Sequence, residues 1–118
     1  MAFDEYLADR IRRLISEHTS VIEEKKMMGG LIFMVNQKMC VGVDKDKNTG
    51  EDRLMARIGI EEYNEALKEK GSRKMDFTGK PMKGFVFIYP EGIDLDEDLE
   101  FWIQKALIFN KKANRKSN

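Results

Sequence analysis

Cys40 and His18 are the one thiol and the one imidazole of the chain, so cysteine–histidine chemistry has to run through them. A thiolate nucleophile needs a base within hydrogen-bond reach and a third group to orient that base. Cys40 stands in the apolar run Met39-Cys40-Val41, where a free cysteine is expected as a small buried hydrophobe. His18 falls at the end of an amphipathic stretch, so it is expected in solvent near a helix C-terminus, where its cationic form is favoured. No third, orienting group is marked. A single cysteine and a single histidine also exclude an intramolecular disulfide and a Cys/His zinc centre within one chain. No catalytic, cofactor or metal residue is assigned, and the chain is expected not to be an enzyme.

The acids form two patterns. Asp44, Asp46, Asn48 and Gly50 alternate as in a calcium loop. Counted from Asp44, the glycine falls at position 7 where the loop turns at 6, and position 12 is Met55 where a bidentate glutamate is required. A solvated hairpin tip is the expectation. Asp94, Asp96, Glu97, Asp98 and Glu100 precede and enter a helix-periodic segment. Negative charge there suits the helix macrodipole, and Asp94 with Glu97 fits a capping box.

The bases also fall in two groups. Lys25 and Lys26 precede Gly29-Gly30, and Lys80, Met82 and Lys83 lie in Gly79-Lys80-Pro81-Met82-Lys83-Gly84. Neither glycine-rich spot has the spacing of a phosphate loop or a dinucleotide turn. These five residues are candidate contacts for a protein partner. Lys105, Lys111, Lys112, Arg115 and Lys116 gather at the C-terminal end and are candidate nucleic-acid contacts. With 21 basic and 21 acidic residues, the domain as a whole has no electrostatic grip on nucleic acid or anionic membrane. Seven of the eight methionines fall on or beside expected strands, as core filling or as an adaptable contact surface.

At 118 residues, 42% apolar and 36% charged, the chain is one globular domain with one real core. Phe3, Leu7, Ile11, Leu14 and Ile15 predict a helix from about Phe3 to His18. Leu31–Val35 and Lys38–Val43 flank Asn36-Gln37 and predict a hairpin whose first strand, apolar on both faces, lies inside the sheet. Leu54–Ile58 predicts a third strand and Glu61–Lys70 a helix stopped by Gly71. Lys74–Thr78 and Phe85–Tyr89 predict two more strands, the second with Phe85, Phe87 and Tyr89 on one face. Leu95, Leu99, Trp102, Ile103, Ala106 and Leu107 predict a last helix. Residues 110–118 are expected to form a frayed basic tail. The expected fold is α+β: a two-layer sandwich of a five-stranded antiparallel sheet packed by helices, in the order α-β-β-β-α-β-β-α. The absence of an apolar run of ~20 residues and of a secretory signal points to a cytoplasmic protein.

Two strings carry a resemblance. Lys25-Lys26-Met27-Met28-Gly29-Gly30-Leu31-Ile32-Phe33-Met34-Val35-Asn36, continued by Met39–Val43, resembles the opening of the TfoX N-terminal domain family. Met75–Val86, reading MDFTGKPMKGFV, resembles that family's most characteristic stretch. Gln37 stands where the family's hairpin usually has glycine, a less comfortable residue for a tight primed turn. The resemblance covers residues 3–109 and implies a small α+β sandwich without established catalytic residues. It also implies a non-enzymatic regulatory or protein-interaction module of the kind found in TfoX-type competence regulators. The partner it implies is the transcription machinery or a cyclic-AMP receptor-type regulator. A second, C-terminal domain is expected to be missing. A symmetric homodimer through a strand edge or through the Phe85, Phe87 and Tyr89 face is a further expectation, and nucleic-acid binding by the tail is the alternative function.

Overall fold

The computed structural model describes residues 3–27, 29–76 and 81–116. Helix α1 (Glu5–Ser16) starts where the Asp4 carboxylate accepts the backbone N–H groups of Tyr6 and Leu7 at 3.4 and 3.3 Å. Strands β1 (Ile22–Met27), β2 (Gly30–Val35), β3 (Lys38–Lys45) and β4 (Asp52–Arg57) follow as consecutive hairpins. Helix α2 (Ile60–Ala66) leads to β5 (Ser72–Asp76) and β6 (Pro81–Ile88). One 3-10 turn, Pro90–Gly92, then leads into α3 (Asp96–Lys116). All pairings are antiparallel, in the spatial order β1-β2-β3-β4-β6-β5.

The sheet has six strands, one more than expected. β1 carries no apolar alternation, because five of its six residues are exposed at the sheet edge and only Ile22 is partly buried. Its register comes instead from β2, with Ile22 opposite Val35 and Met27 opposite Gly30. From α1, Arg12 reaches over this edge and holds Glu24 through Nε and Nη2 at 2.6 and 2.8 Å. β2 is flanked on both sides, as its two apolar faces require.

One face of the sheet packs on α1 and α3. Ile11 and Ile15 from α1, Trp102 and Ile103 from α3, and Phe33 and Leu54 from the sheet are almost fully buried there. Each contributes about 1.5–3 kcal/mol by leaving water. Cys40 joins this core through an irregular register: Phe33 pairs with Val41 and Met34 with Met39, leaving Cys40 unpaired. The bulge turns Cys40 and Val41 to the same side, where strict alternation would separate them.

Two further expectations change. Arg10 sits among the apolar residues of α1 and is buried: Nη2 donates to the carbonyls of Ile93 and Asp94 at 2.8 and 3.1 Å, and Nε to Asp96 at 3.1 Å. It thereby fixes the segment entering α3, which begins at Asp96, two residues beyond the Asp94 of the expected capping box. Nor does α3 stop before Asn110. It runs to Lys116, because Asn110 is buried and its Nδ2 donates to the Val35 carbonyl at 3.0 Å, anchoring the helix where a frayed tail was expected. His18 is exposed just beyond the end of α1, as expected, and its Nε2 lies 3.0 and 3.1 Å from the two carboxylate oxygens of Glu100.

The β2–β3 turn puts Asn36 at φ 52° and Gln37 at φ 67°. Asparagine tolerates this left-handed region, whereas glutamine carries the Cβ penalty of about 1–2 kcal/mol. Gln37→Gly removes that penalty and adds some unfolded-state entropy. It is expected to raise stability by about 0.5–1 kcal/mol, read as a higher urea midpoint at unchanged slope.

Candidate functional site

Among the described residues no helix covers the other face of the sheet, yet it holds a second apolar cluster. Ile32, Met55, Met75, Phe87 and Tyr89 are buried, and Met34, Met39, Met82 and Phe85 pack against them partly exposed. Met27 on β1 and Met75 on β5, the two edge strands, line one small cavity together with Ile32, Met55 and Phe87. The sheet is therefore curled, so that both of its edges border the same interior. Gly42 leaves room for Ile32 at the centre: a Cβ there would stand 2.6 Å from Ile32 Cδ1. The cavity is about 10 Å³, room for about one water and far short of a small-molecule pocket.

A polar seal closes one end of the cluster. The Arg53 guanidinium lies 3.6 Å above the Phe87 ring centroid. It donates to both Asp44 oxygens at 2.8 and 3.2 Å and to the Tyr89 hydroxyl at 2.9 Å. The Tyr89 hydroxyl in turn donates to Asp46 Oδ2 at 2.5 Å. Arg73 stacks on the outer side of this group, 4.3 Å from the Tyr89 centroid. The Tyr89 hydrogen bond, helped by the N–H groups of Asn48 and Thr49, holds the Asp46 carboxyl below the usual aspartate value. Burial pulls the Arg53 guanidinium down, but its bonds to Asp44 and Tyr89 more than offset that and leave it raised. The loop that resembles a calcium site is thus committed to a structural seal.

At the opposite end the cluster opens outward. Met34 and Met39 face each other across β2 and β3, and Phe85 pairs with Arg57 across β6 and β4. Arg57 lies 5.4 Å from the Phe85 centroid and 5.1 Å from that of Phe109 on α3. Met34, Met39, Met82 and Phe85 therefore form a partly exposed apolar patch bordered by an arginine.

The expected contact residues do not form one patch. Lys25 lies opposite Ile32 on the curled face, whereas Lys26 lies opposite Leu31 on the helix side. Met82 belongs to the cluster, and Lys83 is exposed beside it on β6. Three strands separate β1 from β6, about 19 Å along the sheet. Lys80 and Met28 lie outside the described residues. Of the candidate nucleic-acid contacts, Lys105 is paired with Glu62 at 2.9 Å, and Lys111 and Lys112 are exposed on the same helix. The side chains of Arg115 and Lys116 lie outside the described residues. Phe87 and Tyr89, expected as part of a dimer face, are buried within the chain itself. Arg53, Arg57 and Arg73 escaped the sequence reading, although Arg53 and Arg57 stand two residues either side of Met55 and Arg73 two before Met75.

Cys40 is fully buried, and its thiol is pushed up to about 12 by desolvation, which the charge of Arg57 only partly offsets. Burial thus disfavours the thiolate, the form a nucleophile needs. Among the described residues, no three of His, Cys, Asp and Glu come together as a metal site, and no helix is long and apolar enough to cross a membrane.

A family model described as the TfoX N-terminal domain matches residues 14–109, which make up most of the chain and include the whole of the second apolar cluster. No curated protein matches the chain.

Two outcomes follow, one for this face and one for Cys40 in the helix-side core. Asp46→Asn is expected to lower stability at neutral pH. Because the folded carboxyl titrates below its ordinary value, the loss should shrink as pH falls through that lowered value, with urea midpoints of variant and parent converging in acid. Cys40 should resist a thiol reagent in the native protein and react fully once denaturant unfolds it.

Proposed function

The chain belongs to the TfoX N-terminal domain family, and from that premise we propose that it is a non-enzymatic interaction module that seats a protein partner on the open end of its curled sheet face. The observation that carries this reading is the patch of Met34, Met39, Met82 and Phe85, partly exposed and continuous with a buried core. Methionine adapts its shape to different apolar surfaces, and an immobile core beneath it limits the ordering cost of binding. Both strings that resemble the family contribute to it: Met34 and Met39 come from the first and its continuation, Met82 and Phe85 from the second.

Arg57 and Lys83 give this patch a basic border, which suits a partner surface that is apolar at its centre and acidic at its edge. The family resemblance suggests a cyclic-AMP receptor-type regulator, or another part of the transcription machinery, as that partner. The unreactive setting of Cys40 supports a non-enzymatic role. The alternative, nucleic-acid contact through α3, has less support, because Lys105 is committed to Glu62.

Titration calorimetry with a purified cyclic-AMP receptor-type regulator tests the proposal. Binding by the parent chain is expected, with Met82→Glu and Lys83→Glu each weakening it, Met82→Glu by about tenfold or more. No binding would remove that partner. Equal affinity in both variants, with unchanged circular dichroism, would remove this face.

A further inference from the structure

Helix α3 presents two stripes. One is the buried stripe of Leu99, Trp102, Ile103, Ala106 and Asn110. The other is its crest: Glu97, Phe101, Gln104, Ile108 and Lys111, all exposed, with Phe101 at 41% and Ile108 at 57%. The crest residues are spaced four, three, four and three apart, the spacing of a coiled-coil seam. The flanks of the crest are tied down on both sides: Glu100 holds His18 at the end of α1, and Lys105 holds Glu62 on α2. Grooves of about 280 and 360 Å³ run beside it, the first next to Phe101 and the second next to Gln104 and Ile108.

The crest is also self-complementary. Its N-terminal half is acidic, with Glu97 and Asp98, and its C-terminal half is basic, with Lys111 and Lys112. Glu97 and Lys111 each lie seven residues, two helical turns, from Gln104. Phe101 lies three residues before Gln104 and Ile108 four after it.

We propose that α3 is the interface of a two-fold homodimer, in which the crests of two copies pack antiparallel with Gln104 at the axis. Each acidic half then faces the partner's basic half, and each Phe101 meets the partner's Ile108. A parallel arrangement would set acid on acid and base on base, so charge alone selects the antiparallel one. The contact spans about 21 Å of helix, which gives an interface at the small end of specific associations and a dimer of micromolar strength. The proposal stands independently of the partner assigned to the sheet face, whose apolar residues belong to a different cluster from the buried stripe of α3.

Sedimentation velocity on the full chain, from about 5 to 500 µM, tests it. The parent is expected to pass from monomer to dimer across that range, more weakly at about 0.5 M salt. The double variants Glu97→Lys with Asp98→Lys, and Lys111→Glu with Lys112→Glu, should each raise the dissociation constant at least about tenfold. Mixed in equal amounts, they should restore association as a heterodimer, which neither could do if it were misfolded. A parent that stays monomeric at the highest concentration overturns the proposal. So does a dimer insensitive to both double variants, or a mixture that fails to associate.

Discussion

A six-stranded sheet has two faces to bury, and this chain packs α1 and α3 onto only one of them. The rest of the structure follows from how the second face is kept from water. The sheet curls until its two edge strands border a common interior, and methionines fill that interior because their unbranched chains suit an irregular, concave space. Gly42 gives Ile32 the room to lie flat against β3. What remains at one rim is closed by Arg53, which covers Phe87 with its planar cation and satisfies its donors on Asp44 and Tyr89. The bare end of the same face is left as the methionine and phenylalanine patch. A conventional covering layer would have hidden that patch.

Helix α3 bears on both halves of this arrangement. Its buried stripe supplies Trp102, Ile103 and Asn110 to the helix-side core, and its C-terminal Phe109 reaches Arg57 at the edge of the sheet patch. Two buried polar side chains fix its position. Arg10 grips the entry segment through backbone carbonyls, and Asn110 bonds the end of β2. Buried polar groups of this kind are costly if misplaced, so they specify one docking of the helix where apolar contacts alone would tolerate several. Fixing α3 in this way also fixes which of its residues face outward, so the crest is a consequence of the core.

Most elements could be read along the chain wherever one face is wet and the other dry. Leu7, Ile11 and Ile15 mark α1, and Phe85, Phe87 and Tyr89 mark one side of β6. Asn36-Gln37 announces its turn through the asparagine, which tolerates positive φ. β1 escapes because an edge strand exposed on nearly every residue has no pattern to detect, and its partner strand alone makes it a strand. The tail escapes because a run of lysine and asparagine reads as solvated unless one knows that Asn110 finds a buried carbonyl.

The sequence by itself determined the α+β class, the burial expected of Cys40, and the family. Each rests on local periodicity, on residue counts or on contiguous strings. Only the tertiary structure decided that Ile32, Met55, Met75 and Phe87 share one interior, that the lysines at 25 and 83 sit on strands far apart in the sheet, and that α3 keeps a second stripe in water. Those facts depend on strand order, sheet curl and the rotation of a helix about its axis. All three are set by contacts between residues distant in the chain, and no local pattern encodes them.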